Sequence, residues 1–326
     1  MGRRLLWAAL ALVLAGAGWA APNWSLVRAY VARPAVRAPT LDGRLDDPCW
    51  RAADVATDFV VEGQRRDMPA GLGTSVQFCY DGQALYAAFT CQELHLGKLT
   101  TTKHDRDFDA YTEDMVGLLL SPGHAAAGEY DMELAVTAAG TQYDCGWRVR
   151  EAWNGEWTAA TAVDAGRGVW TAELRIPWAD TRRPGRAGAV WGVQATRWRQ
   201  AGGQEQAFLW SAVPDEWEVD MWTADSFGHL WFGEADRGLL ARHVTWAARR
   251  LQAGRAVAEE AVAGDRAAAE RLQWLDHRLT ALQQLAASDS PLTGDAWAGA
   301  MRECDQLLRD RDHLVWPLRI KKLLED

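Results

Sequence analysis

Hydrophobic and polar residues alternate through the middle of the chain with the period of two that puts every second side chain on one face of a β-strand. Val76, Phe78 and Tyr80 alternate with polar neighbours, Asp81-Gly82 offers a tight turn, and Leu85, Ala87, Phe89 and Cys91 alternate back. That pattern predicts a hairpin. The apolar run 115–120 ends at Ser121-Pro122-Gly123, and the run 132–136 leads to a turn at Gly140. Trp170, Ala172, Leu174 and Ile176 make another alternating face, closed by Pro177. Residues 190–199 and 206–211 read as a further antiparallel pair, and 230–232 as a last strand after Phe227-Gly228. Many short strands with regular turn signals predict a mainly β domain, an antiparallel β-sandwich or jelly roll.

The period changes near residue 235. Leu240, Val244, Ala247, Leu251 and Ala258 recur at helical spacing, as do Leu272, Leu275, Leu279 and Leu282, and then Trp297, Met301, Leu308 and Val315. Gly264-Asp265 and the stretch 288–294 break the pattern, and Ser290-Pro291 and Thr293 suit a new helix start. Residues 236–326 are therefore expected to form a small α-helical hairpin or bundle. Such an extension braces the sandwich, dimerises or docks a protein partner.

At the other end, Arg3 and Arg4 precede an apolar run, 5–17, too short to span a bilayer, and Gly18-Trp19-Ala20 is a small-x-small pattern. This predicts a signal peptide over 1–21 and a mature chain, exported and without a transmembrane span, whose sandwich occupies 22–235. The chain carries a formal charge of −9. From 236 onwards 14 basic residues balance 14 acidic ones, so the acid excess belongs to the sandwich. An acidic sandwich argues against nucleic acid or anionic lipid as partner and leaves room for neutral sugars and cations. In an exported protein, pairs among Cys49, Cys79, Cys91 and Cys145 are plausible disulfides; Cys79 and Cys91 flank one turn out of register, and Cys49 with Cys91 is as good a pairing. The spacings fit neither a zinc site nor a c-type haem site.

Residues 41–50 (LDGRLDDPCW) combine an Asp-Gly turn, an acidic spacer, an Asp-Pro turn and a Trp suited to burial. In order after it come 74–93 (TSVQFCYDGQALYAAFTCQE), 105–120 (DRDFDAYTEDMVGLLL), 129–140 (EYDMELAVTAAG) and 168–178 (GVWTAELRIPW). Trp191 to Arg197 (WGVQATR), Trp210-Ser211 and Phe227-Gly228 complete the string. Taken together, residues 40–234 resemble carbohydrate-binding module family 9, whose Trp-x-x-Glu-x-x-Ile-Pro strand is matched by 170–177. The resemblance implies an antiparallel jelly roll in which two aromatic rings clamp a terminal sugar while polar side chains bond its hydroxyls. The first ring falls on Tyr111 and the second on Trp222, with Trp217 as its alternative and Trp198 and Gln194 as secondary candidates. Trp50, Trp170 and Trp191 are expected in the core, although 19 Trp in one chain suits a sugar-binding surface. Two positions depart from the binding pattern: Gly117, where sugar-binding members can carry a carboxylate, and Ala135, where they can carry a basic residue.

Asp105, Asp107, Asp109, Glu113 and Asp114 form the densest carboxylate cluster. Their spacing is compatible with a structural calcium, which family members can hold, or with a solvated acidic loop; the Gly and terminal Glu of an EF-hand are missing. A haem-binding relative of this sandwich class, with a Met or His axial ligand such as Met132, is a further reading. No Gly-x-Ser-x-Gly, His-Glu-x-x-His or phosphate-loop motif occurs, and two Asp in a loop do not define a glycosidase pair. The expectation is a non-catalytic carbohydrate-binding protein in a polysaccharide-degradation setting, or a cell-envelope interaction module that has lost sugar binding.

Overall fold

The computed structural model describes residues 29–57, 59–62, 69–100, 102–122, 132–146, 153–181, 183–203, 205–210, 227–233, 237–289 and 294–325. The expected leader, 1–21, lies outside them. Twelve strands are seen among these residues: β1 Ala29–Pro34, β2 Val60–Val61, β3 Thr74–Tyr80, β4 Ala84–Gln92, β5 Met115–Pro122, β6 Met132–Thr137, β7 Gln142–Gly146, β8 Thr158–Asp164, β9 Val169–Pro177, β10 Val190–Arg199, β11 Gln206–Leu209 and β12 Gly228–Phe232. Two short helices, α1 (Pro48–Ala52) and α2 (Trp178–Thr181), interrupt them, and α3 (Arg237–Ala253), α4 (Arg255–Val262), α5 (Arg266–Ala287) and α6 (Gly294–Glu325) follow.

The strands form one continuous sheet in the order β7-β6-β5-β10-β12-β1-β3-β4-β9-β8, with β11 and β2 added beside β10. The sheet folds over at β1. Residues 29–32 pair with β12, whereas Arg33 and Pro34 pair with β3, so β1 belongs to both layers. Its two pairings are parallel; the other strand pairings are antiparallel. The first layer (β7, β6, β5, β10, β12) sends Val116, Leu118, Leu134, Val193 and Leu230 inward against Phe78, Phe89, Leu174 and Ile176 of the second. The expected hairpin is β3–β4, with Val76 opposite Phe89 and Phe78 opposite Ala87.

The segment 41–50 and the strand 170–177 prove to be two halves of one device. Glu173, on the outer side of β9, accepts hydrogen bonds from the amides of Asp42 (3.0 Å) and Gly43 (2.8 Å) and from the Trp50 indole (2.7 Å). Thr171 Oγ1 donates to the Gly43 carbonyl at 2.6 Å. Gly43 needs its lack of a side chain twice over: its φ is +80°, and a Cβ would lie 2.7 Å from the backbone of Thr161. Burial raises the Glu173 carboxyl above its ordinary range, against the pull of these three donors. Trp170 and Trp191 lie in the core between the layers, as expected. Trp50 is equally buried but belongs to α1 and packs on the outer side of the second layer.

The strands β1, β2, β7 and β8 were not anticipated. β8 is an edge strand of small and β-branched residues, mostly half-exposed, so it has no inside–outside alternation to detect. β1 buries only Tyr30 and Ala32, too few positions to establish a period. Among the described residues the helical region contains four helices, because the first periodic run, from Leu240 to Ala258, is split at Gly254 between α3 and α4. The other breaks fall where expected. Asp265 caps α5 by accepting from the Ala268 amide at 2.9 Å, and Ser288 ends it. The helices share a core of Leu240, Val244, Leu251, Leu275, Leu282 and Met301 that also holds Trp231 of β12, with Ala29 and Val31 of β1 packed against it. The helices thus lie on the outer face of the first layer at its β12–β1 side.

The cysteines correct two suggested pairings. Cys91 points into the interlayer core, whereas Cys49 and Cys79 lie together on the outer side of the second layer. A strand has two opposed faces, so neither Cys79 nor Cys49 can reach Cys91. Met132 is a core residue.

Candidate functional site

The outer face of the first layer beyond the helices carries the sequence-predicted residues that the structure describes. Residues two apart share a face, so Gln194, Thr196 and Trp198 of β10 point to the same side. Cross-strand register sets Gln194 opposite Leu119, Leu119 opposite Glu133 and Glu133 opposite Cys145. The adjacent row on this face is Thr196, Gly117, Ala135 and Tyr143. The two departures noted in the sequence are therefore direct cross-strand neighbours, and the row they share carries no charge. Gly117 is small for a physical reason: a Cβ there would meet Thr196 Oγ1 at 2.9 Å and the Leu134 carbonyl at 3.2 Å.

Three half-exposed rings stand over this uncharged row. Tyr111 leaves the short 3-10 turn Ala110–Thr112 and packs with Tyr143 and Trp198 on Met115 and Ala135. Its ring meets Trp198 edge-on, with centroids 5.1 Å apart and planes at 90°, and Tyr143 at 5.9 Å and 73°. The Tyr111 hydroxyl donates to Glu133 Oε1, and the Cys145 thiol donates to Glu133 Oε2 at 3.4 Å. Gln200 holds the other side of the turn through a 3.0 Å bond from its side-chain amide to the Tyr111 carbonyl. Tyr111 and Trp198 are thus brought together, with Gln194 buried on the same face. Trp222 and Trp217 lie outside the described residues. Glu133 and Tyr143 were missed. For Glu133 the signal was present: Met132 and Leu134 alternate inward, which puts Glu133 and Ala135 outward on the same face.

The arrangement offers ring edges and faces together with a buried carboxylate acceptor. Pyranose C–H groups pack on such rings, and a carboxylate compensates the desolvation of sugar hydroxyls.

The acidic loop does not form one cage. The Asp107 side chain accepts from the Asp144 amide at 3.2 Å, Glu113 bonds His104 at 3.0 Å, and Asp114 turns inward to accept from the Gln200 amide at 3.2 Å. Burial raises the carboxyls of both Asp107 and Asp114. Among the described residues no three or more His, Cys, Asp or Glu side chains gather as a metal site. The loop is held instead by Arg106, whose guanidinium bonds the buried Asp144 through Nε at 3.1 Å. Trp157 and the Gly155 amide complete the partners of that carboxylate at 2.8 and 2.9 Å.

Behind the rings, β10 ends in a buried ionic clamp. Glu93 accepts from Arg197 (2.9 Å) and, in a bidentate pair, from Arg199 (2.7 and 2.8 Å). Arg197 also donates to the carbonyls of Leu72 and Gln92. Burial alone would raise the Glu93 carboxyl, but the Arg199 hydrogen bonds, the His95 amide and both guanidinium charges outweigh it and hold it below the ordinary range. The clamp ties the second layer to the strand that carries Trp198.

The family model for the carbohydrate family 9 binding domain-like group matches residues 41–232, more than half of the chain. The chain belongs to this family. The matched stretch begins at the Asp42-Gly43 turn's neighbour Leu41 and ends at Phe232, the last residue of β12. The chain is similar to a carbohydrate binding module family 9 from Caldicellulosiruptor kristjanssonii in complex with cellotriose, at 13% identity and a TM-score of 0.47, over 64% of this chain and 96% of that one. It is similar also to a family 9 module from the same organism in complex with glucose, at 14% identity and 0.47, over 63% and 97%. No curated protein sequence matches the chain.

Proposed function

We propose that the chain is an exported, non-catalytic carbohydrate-binding protein that holds a polysaccharide or its fragments in a polysaccharide-degradation setting. The observation that carries this reading is the pairing of Tyr111 with Trp198 beside Glu133, on one face of the layer. Tyr111 supplies one stacking ring and Trp222, or Trp217, the facing one. Trp198 and Tyr143 form the floor, and Glu133 and Gln194 accept and donate to hydroxyls. Family membership supports the ligand class. Among the described residues no helix is long and apolar enough to cross a membrane.

Affinity electrophoresis through gels of soluble polysaccharides, with a glycan array, tests the reading. Retardation on at least one glycan is expected. Tyr111→Ala and Trp198→Ala should each weaken it at least tenfold, about 1.4 kcal/mol, and Trp222→Ala should do likewise. No retardation on any glycan, with all three variants behaving as wild type, overturns it. A second reading, a cell-envelope protein-interaction module that has lost sugar binding, draws on the uncharged row of Gly117 and Ala135. It predicts no retardation on any glycan.

A further inference from the structure

The five cysteines are all reduced and buried, yet they are not equivalent. Cys91 lies in the interlayer core, Cys145 bonds Glu133 on the first layer, and Cys304 is in the core of the helices. Cys49 and Cys79 share one small cluster with Trp50, Tyr86 and Ala88 on the outer side of the second layer. The elements that carry them are fixed against each other. Helix α1 packs on β3, and the Gln77 side chain, two residues before Cys79 on the same strand face, donates to the carbonyl of Trp50, the residue after Cys49, at 2.8 Å. Register with β4 holds Cys79 opposite Tyr86. Within this frame the two thiols are close enough to perturb each other side chain to side chain.

We propose that Cys49 and Cys79 are a disulfide-forming pair, closed by exchange with a small-molecule disulfide, which staples the family signature segment to β3. The two side chains already share one packed cluster on elements tied to each other, a frame in which a bridge closes by rotation about side-chain bonds. The chemistry runs in two exchanges. The Cys49 thiolate attacks one sulfur of the donor, forming a mixed disulfide and expelling one thiolate. Cys79 then gives up its proton to that thiolate or to water and attacks the Cys49 sulfur, expelling the second thiol. One donor disulfide is reduced to two thiols, and two protein thiols are oxidised to one disulfide. The order follows from access: Cys49 is 8% exposed and Cys79 only 2%, so Cys49 is the thiol that meets the donor first. Cys91 points into the interlayer core, on the opposite face of the second layer, which keeps it out of the exchange.

The full-length protein, refolded with glutathione disulfide and glutathione, provides the test. After denaturation and alkylation the free thiols should fall from the five of the sequence to three, with a mass loss of about 2 Da before alkylation. Peptide mapping should join the fragment holding Cys49 to the one holding Cys79. Cys79→Ser should abolish the link, and Cys91→Ser should leave it intact. The oxidised wild type should melt several degrees above the reduced protein, a gap absent from the Cys49→Ser/Cys79→Ser double variant. Five persisting thiols in refolded wild type, or a link that survives Cys79→Ser, overturns the proposal.

Discussion

Glu93 and Glu173 show two ways to bury a carboxylate. Glu93 sits between two guanidinium groups and is held below the ordinary carboxylate range; Glu173 has three neutral N–H donors and is pushed above it. For Glu93 the sign is that of a depressed acid. Its contribution is complete above the unfolded-state value near pH 4 and fades as the pH falls through the lower folded-state value. Glu93→Gln should therefore cost about 3–5 kcal/mol near neutrality, because it strips the charge partner from two buried arginines. The gap to wild type should narrow steadily in urea titrations taken down to about pH 3. A gap that does not change with pH would mean that the loss is packing alone. At Gly43, substitution by Ala should cost more than about 1 kcal/mol, from the positive φ and from the collision with Thr161. Chemical denaturation measures this directly. Neither effect could be read from the sequence: nothing local to 41–50 says that its partner lies about 130 residues away.

At the level of elements, strands with an apolar run or a clear alternation were legible, the short β11 and β12 among them, whereas β1, β2, β7 and β8 were not. Trp170, Ala172, Leu174 and Ile176 are all fully buried, so their period of two survives in the sequence. β8 packs only one side against β9, and its Ala and Thr residues carry little contrast. The site follows the same division. Tyr111 could be placed by family resemblance and Trp198 by its strand, but their meeting depends on the 3-10 turn that swings Tyr111 over Ala135. The helices were found by period, except at Gly254, where one periodic run spans two elements. Their attachment to the sheet is strong enough to test. Leu240 packs without exposure in the core that contains Trp231, and Leu240→Ala should cost about 2–5 kcal/mol through transfer and cavity terms. The readout is a drop in denaturation midpoint, joined by earlier proteolysis within 237–325. If the midpoint holds while proteolysis advances, the helices melt separately from the sheet.

For the whole molecule, β1 has a consequence in time. It is the earliest described strand in the chain, yet it is the seam at which the sheet turns from one layer into the other. Its first residue lies opposite His229, two hundred positions later. A nascent chain leaves the ribosome from its beginning, so β1 emerges early and must remain unpaired on its β12 side until nearly the entire sandwich has been synthesised. Contacts of such long sequence separation make folding slow. During that interval the exposed edge and the apolar residues Tyr30 and Ala32 are open to wrong partners. Completion of this fold is a late event, and a chain that stalls before residue 228 leaves the ribosome with its seam unsewn.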